Sequence, residues 1–142
     1  TKARAAAAAT MRAALADDSG IESDTLGGAP GVRSARFASE HASDEENLAK
    51  LLREAPVGDR LRYVCALAYV NPLEGEEQVF HGECRGRLAA SARGEHGFGY
   101  DPAFLPDGDW QDRTMAELSD EEKDSISHRG AAVRELLRWL HR

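Results

Sequence analysis

The sequence predicts a mixed α/β protein, because it carries strong signals both for helices and for paired strands. Two Ser-x-x-Glu capping boxes, which begin at Ser43 and Ser119, each mark the N-terminus of a helix. Between them, residues 61–70 and 77–86 are rich in strand-forming residues and flank a short segment with Pro and Gly, which is typical of an antiparallel hairpin. The length fits one domain with a real core, so 1–142 is predicted to form a single domain.

The first third of the chain is predicted to contain two helices and a short strand. Residues 1–13 are rich in alanine and hold no helix breaker, which favours a helix. Residues 14–16 are predicted to form a short strand that ends in a loop at the acidic pair 17–18. The Gly and Pro residues of 27–31 indicate irregular backbone. The first capping box then opens a predicted helix over about 44–55, where leucines follow at helical spacing.

The last third is predicted to be mostly helical. Residues 87–90 extend the sheet, and a Gly-rich loop follows from 93 to 101. The second capping box opens a short helix, and a final helix is expected from about 128 to 140. Four apolar residues of that final helix are predicted to form one buried stripe: Val133, Leu136, Leu137 and Leu140.

Charge and composition exclude several classes of partner. The net charge of −7 argues against a nucleic-acid polymer, because phosphate backbones require a basic face. No apolar run approaches the length of a membrane span, and no signal peptide opens the chain, so no membrane contact is expected. Cys65 and Cys84 are too few and too far apart in sequence to indicate a disulfide framework or a zinc site, so a reducing cytoplasm is the expected location.

The acidic pair Asp17-Asp18 lies beside a hydroxyl and a glycine in Asp-Asp-Ser-Gly. Carboxylates in such a string suit a divalent cation and an activated water, because hard cations prefer oxygen ligands. Adjacent residues of an extended strand point to opposite faces, so only one acid is expected to face the site, and the pattern does not say which. The alternative is a polar strand end in which one Asp caps the following turn.

The segment Gly97-Phe98-Gly99-Tyr100-Asp101-Pro102 is a candidate binding loop. Glycines let the backbone approach a ligand closely, and an aromatic face can stack on a base. Asp101 is then expected to accept a hydrogen bond from a base or a ribose. The alternative is an ordinary loop anchored by its aromatic residues.

The segment Ser127-His128-Arg129-Gly130 is a candidate polar site at a helix start. In the functional interpretation, the imidazole and the guanidinium donate to an exocyclic oxygen of a ligand. In the alternative, Ser127 is only the N-cap and the pair after it is exposed. Lys123 is either a solvated helix cation or a contact to a phosphate or a base.

Six segments of the chain, in the same order, resemble the inosine triphosphate pyrophosphatase family. They are residues 17–21, 26–32, 34–37, 97–102, 115–119 and 126–130. The resemblance extends over essentially the whole chain. It implies a mixed α/β fold with an elongated central mixed sheet flanked by helices, two lobes with an active-site cleft between them, and a homodimer.

The resemblance also implies a function and a set of site residues. Members hydrolyse noncanonical purine nucleoside triphosphates (ITP, dITP and XTP) to the monophosphate and pyrophosphate with Mg²⁺, which cleans the nucleotide pool. Asp18 matches the general base and the metal-linked carboxylate. The implied substrate contacts are Ser19, Phe98, Gly99, Tyr100, Asp101, Lys123, His128 and Arg129. Among them, Phe98 is the stacking ring, and the last three hold the nucleotide and read the 6-oxo group.

The chain departs from the family pattern at its start. Members begin with a strand and a Ser/Thr-x-Asn-x-x-Lys loop that grips the triphosphate, followed by an acidic metal contact, and neither occurs here. The sequence therefore predicts an N-terminally incomplete pyrophosphatase domain. Two alternatives stay open: a catalytically impaired, nucleotide-binding fragment of such an enzyme, and a related pyrophosphatase that acts on modified pyrimidine nucleotides.

Overall fold

A computed structural model describes residues 2–142 and confirms the mixed α/β class. Its helices are α1 (Lys2–Thr10), α2 (Asp44–Glu54), α3 (Asp120–Ile126) and α4 (His128–Leu140). Its strands are β1 (Ala14–Ser23), β2 (Arg60–Asn71), β3 (Glu76–Leu88) and β4 (Phe104–Pro106). Short 3-10 helices lie at Gly31–Arg36, Asp101–Ala103 and Met115–Glu117.

The four described strands form one sheet in the order β1-β2-β3-β4, and each pairs with its neighbour antiparallel. The predicted hairpin is confirmed as β2 and β3, which pair from Arg60 opposite Arg87 to Asn71 opposite Glu76. No pair among residues 2–142 is parallel, so the mixed strand direction that the resemblance implies is not found in this part of the sheet. Two lobes and a cleft between them stay predictions.

The sheet has two distinct faces because successive side chains of a strand alternate. One face buries Ile21, Tyr63 and Leu88 in the main core, beneath the loops and helix α2. Further along the same face, α4 packs on β2 and β3. The opposite face carries α1, whose Ala3 and Ala7 pack against Val70.

Strand β1 is longer than predicted. It was expected to stop at Ala16, but it continues through the acidic pair to Ser23. All ten of its residues pair with β2 in an unbroken register, and Ile21 and Ser23 are fully buried. Pairing and burial therefore outweigh the low intrinsic strand preference of Asp and Gly.

Helix α4 has the predicted bounds, but the predicted buried stripe is wrong. Only Leu136 of its four members is buried, whereas Val133, Leu137 and Leu140 are between 42% and 46% exposed. The cause is Gly82 of β3, which lets the helix backbone approach the sheet so closely that the small Ala132 faces it. The larger apolar residues on either side are therefore turned towards solvent.

The local signals for the other helix starts are confirmed. Both capping boxes are complete, with Ser43 and Ser119 each accepting from the backbone N–H three residues later at 3.1 Å. Ser127 caps α4 by accepting from Gly130 at 3.0 Å. The predicted extension of the sheet over 87–90 ends early, at Leu88. No helix within residues 2–142 is long and apolar enough to cross a membrane.

Candidate active site

One cavity of about 620 Å³ brings together all eight predicted substrate contacts. We call it the aromatic cavity. Its lining includes Ser19, Phe98, Gly99, Tyr100, Asp101, Lys123, His128 and Arg129. These residues come from β1, from the loop before β4, from α3 and from the start of α4. The size is that of a typical small-ligand site.

Asp18 lies outside this cavity, in an adjoining one of about 500 Å³. We call this second space the acidic cavity, because its lining includes Asp18, Glu22 and Glu83. The two cavities share Ser19 and Gly20 of β1. The separation follows from strand alternation, since neighbouring side chains of β1 point to opposite faces of the sheet.

Asp17 lies on the other face of β1 from Asp18, towards α4. Its carboxylate accepts a hydrogen bond from Arg129 Nε at 2.6 Å. Within residues 2–142, the Asp18 carboxylate makes no such contact. The structure thus answers a question that the sequence left open: the first acid is engaged with a cation, and the second is exposed to the acidic cavity.

Asp101 is the most heavily bonded group of the aromatic cavity. Its side chain is almost fully buried, and Oδ1 accepts from the Tyr63 hydroxyl at 2.7 Å. Oδ2 accepts from Lys123 Nζ at 2.5 Å and from the Phe98 backbone N–H at 3.1 Å. Both oxygens therefore have protein donors, and these bonds tie Lys123 and the Phe98 loop to Asp101; its contact with a base or a ribose stays a prediction.

Lys123 is not a solvated helix cation. Only 17% of its side chain is exposed, because the ammonium group lies between the Asp101 carboxylate and the Phe98 ring. Its Nζ atom is 4.5 Å from the ring centroid, and the Arg129 guanidinium carbon is 5.4 Å from the same centroid. Phe98 itself is 59% exposed, so it is an accessible aromatic surface flanked by two cations.

The loop that carries Phe98 is fixed at several points. Gly97 has a φ of 77°, and a Cβ there would lie 2.2 Å from Asp101 Oδ2, so only glycine fits. The Gly99 N–H donates to Asp44 at 3.2 Å, and the Tyr100 hydroxyl donates to the Ser34 carbonyl at 2.6 Å. The loop is therefore tied to α2 and to the 3-10 helix that follows β1.

His128 is held as a neutral imidazole in the wall of the cavity. Its ring stacks on Tyr63, with centroids 4.7 Å apart and planes 10° from parallel. Burial lowers the pKa of His128 to about 4, and the nearby Arg129 charge acts in the same direction. At neutral pH the ring therefore carries one N–H donor and one acceptor nitrogen.

Two buried polar atoms of the cavity have no hydrogen-bond partner within residues 2–142. They are His128 Nδ1 and Ser19 Oγ, and the latter lies beside the Cys65 thiol, a weak hydrogen-bonding group. Leaving a buried polar atom unpaired costs about 1–3 kcal/mol, and native structures rarely tolerate it without a reason. A bound water or a polar ligand in this cavity would complete their hydrogen bonding.

Tyr63 is a site residue that the sequence analysis missed. It stands in the buried run of β2, where an aromatic residue looks like ordinary core. Its ring supports His128 and its hydroxyl supports Asp101. Burial and the Asp101 carboxylate raise the pKa of the Tyr63 hydroxyl well above its usual value, so the hydroxyl stays a donor. The sequence signal for such a supporting role is a tyrosine at a strand position that faces the core, because its ring packs there while its hydroxyl needs a hydrogen-bond partner.

Tyr63→Phe is expected to lower the free energy of unfolding by about 1–3 kcal/mol, because it keeps the ring stacking but leaves a buried carboxylate oxygen of Asp101 without its donor. Urea denaturation measures the change. Tyr69→Phe is the matched control: it removes a hydroxyl from the same strand that makes only a 3.5 Å contact with Asn71. Equal losses in the two variants would show that the Tyr63–Asp101 bond contributes nothing specific.

Comparison with known proteins gives the chain its family. The sequence pattern of the Ham1 family matches residues 1–139. The dITP/XTP pyrophosphatase of Cutibacterium acnes is 50% identical over 140 residues, which cover 96% of this chain and 68% of that protein. The dITP/XTP pyrophosphatase of Leifsonia xyli subsp. xyli is 51% identical over 148 aligned positions, which cover 99% of this chain and 73% of that protein.

Solved structures agree with the sequence relatives. The Staphylococcus aureus Ham1 protein matches 99% of this chain and 72% of its own length, with a TM-score of 0.89 and 44% identity. A HAM1 protein from Coxiella burnetii matches with a TM-score of 0.88 and 39% identity, over 99% of this chain and 73% of its own. The resemblance seen in the six sequence segments is confirmed: this chain belongs to the Ham1 family.

Proposed function

We propose that the protein is a nucleoside triphosphate pyrophosphatase that hydrolyses ITP, dITP and XTP to the monophosphate and pyrophosphate, and so removes noncanonical purines from the nucleotide pool. The observation that carries this proposal is the aromatic cavity, which brings together the eight substrate contacts that the resemblance implies. The names of the relatives, dITP/XTP pyrophosphatases, support it. The homodimer that the resemblance implies and the cytoplasmic location both stay predictions, and light scattering tests the dimer.

Base selection in this proposal depends on hydrogen-bond donors at the wall of the aromatic cavity. Lys123, Arg129 and the neutral His128 can donate to the 6-oxo group of hypoxanthine or xanthine, while Phe98 offers a stacking surface. The 6-amino group of adenine would instead meet these donors with its own N–H groups. Each buried conflict costs about 1–3 kcal/mol, so two of them discriminate by about a hundredfold or more.

Hydrolysis in this proposal takes place on the Asp18 side of β1. A nucleotide whose base occupies the aromatic cavity can extend its phosphates past Ser19 and Gly20, which both cavities share, into the acidic cavity. Asp18 can accept a proton from a water there, because no described residue engages its carboxylate. The pyrophosphate leaving group departs when that water attacks the α-phosphorus, so cleavage falls between the α- and β-phosphates.

Asp18 also fits a Mg²⁺ ion, which we propose as the cofactor. No cluster of three or more His, Cys, Asp or Glu side chains within residues 2–142 is placed to hold a metal. Glu22 and Glu83, the other acids of the acidic cavity, both bond to Arg62. One free carboxylate still suits Mg²⁺, which proteins commonly hold by one or two carboxylates plus substrate phosphates and waters. When bound, the ion would offset phosphate charge and lower the pKa of a bound water.

The direct test is to measure pyrophosphate released from ITP by this chain with Mg²⁺, beside ATP and an EDTA control. We expect release from ITP that EDTA abolishes, with ATP hydrolysed at least about a hundredfold more slowly. IMP binding without any release would favour the first alternative, a catalytically impaired fragment that binds nucleotides. Faster release from a modified pyrimidine triphosphate than from ITP would favour the second.

A further inference from the structure

Asp17 joins the edge strand β1 to the first turn of α4. Its carboxylate accepts from Arg129 Nε at 2.6 Å, across 112 positions of sequence. The two side chains are 40% and 46% exposed, so the pair lies at the rim of the site and not in the core. Exposed pairs of this kind usually contribute about 0–1 kcal/mol to stability, which makes a purely stabilising role small.

Arg129 occupies a defined place at this rim. It lines the aromatic cavity, and its guanidinium carbon lies 5.4 Å from the Phe98 ring centroid. Within residues 2–142, the only hydrogen bond of its side chain is the one from Nε to Asp17, so the terminal nitrogens keep their donors for a ligand. A half-exposed arginine without such a partner would lose up to about 2 kcal/mol of rotamer entropy when a ligand fixed it.

We propose that Asp17 is a positioning residue that fixes the Arg129 guanidinium beside the Phe98 ring, with its terminal N–H groups directed to the nucleotide. Asp17 is therefore not a metal ligand, although it stands next to Asp18 in sequence. The alternation of β1 separates the two carboxylates: one faces the α4 side and the other the acidic cavity. The identification of the ligand as a purine nucleotide rests on the proposed function.

The first measurement needs no ligand. The Nε–H signal of Arg129, followed by NMR in ¹⁵N-labelled protein, reports how ordered the guanidinium is. We expect a well-ordered Nε–H group in the native protein and a mobile one in Asp17→Ala. An Nε–H signal that stays equally ordered in Asp17→Ala would overturn the proposal, because Asp17 would not be what fixes the side chain.

The second measurement is a double-mutant cycle on the affinity for IMP, measured by calorimetry with EDTA present. Asp17→Ala is expected to raise the Kd about three- to fivefold, the range of one exposed ion pair. Arg129→Ala is expected to raise it about tenfold, and the double variant no further, since Asp17 acts through Arg129. Asp17→Asn should retain most of the affinity, because its amide oxygen can still accept from Nε.

The matched control is Asp107→Ala, which removes the carboxylate of another exposed pair. Arg60 and Asp107 are 2.6 Å apart and 50% and 44% exposed, and neither lines the aromatic cavity. The Kd of the Asp107→Ala protein for IMP should equal that of the native protein. An Asp17→Ala effect that persists in the Arg129→Ala background would overturn the proposal. Native protein that fails to bind IMP would instead contradict the proposed function, while the NMR measurement still decides whether Asp17 orders Arg129.

Discussion

Asp18→Asn is expected to lower kcat for ITP hydrolysis about 10³-fold, within the range that a general base contributes. The amide keeps the shape of the side chain but accepts a proton poorly. Because Asp18 lies in the acidic cavity, apart from the residues that hold the base, the Kd for IMP should change by less than about threefold. Pyrophosphate release and calorimetry on the same preparation measure the two quantities.

Glu83→Gln is the matched control for this loss of charge. Glu83 lines the same cavity, but its carboxylate is engaged by Arg62 and Arg85. Its kcat should stay within about threefold of the native value. An Asp18→Asn protein with nearly native turnover would show that another group activates the water.

Gly82→Ala is expected to destabilise the protein and to weaken nucleotide binding together. A Cβ at this position would lie 2.0 Å from the His128 carbonyl oxygen and 2.7 Å from the Ala132 nitrogen. Both are backbone atoms, so the whole start of α4 has to move. Such overpacking costs about 1–3 kcal/mol or more in the free energy of unfolding. His128 and Arg129 move with the helix, so the Kd for IMP should rise at least about tenfold.

Val79→Ala separates this contact from a general weakening of β3. Val79 lies on the same strand, is 54% exposed, points to the opposite face of the sheet from Gly82, and lines neither the aromatic nor the acidic cavity. We expect its urea midpoint and its Kd for IMP to be close to native. If Gly82→Ala were as mild as Val79→Ala, then α4 would not rest on β3 as closely as the structure shows.

The sequence correctly predicted those elements of the fold that depend on residues close together in the chain. A capping box involves residues three apart, so Ser43 and Ser119 located their helices correctly. The hairpin of β2 and β3 likewise follows from two adjacent strand-forming runs. In contrast, β1 runs past Ala16 because β2 pairs with it, and the three-residue β4 exists because it pairs with the end of β3. Such long-range pairing leaves no local signal.

The candidate site likewise has features that the sequence predicted and features that it did not. The motifs and the family resemblance identified eight of the residues that line the aromatic cavity, but not how these residues contact one another. Asp101 is predicted to touch the ligand, and the structure adds that it also accepts hydrogen bonds from Lys123 and Tyr63, which no motif indicated. The orientation of α4 was predicted from apolar spacing alone, and the close approach at Gly82 overrode it. These contacts join residues between 22 and 50 positions apart, beyond the reach of any sequence window.

The anchored loop around Phe98 has a consequence for the kinetics of binding. Its attachments to Asp44, Ser34 and Tyr63 are all made by groups of the protein itself. A loop that is held by such bonds does not depend on the nucleotide for its order, so ordering it adds little to the entropic cost of association. A nucleotide should therefore bind at a rate governed by diffusional encounter and not by loop rearrangement, so that affinities for different bases differ mainly in their dissociation rates.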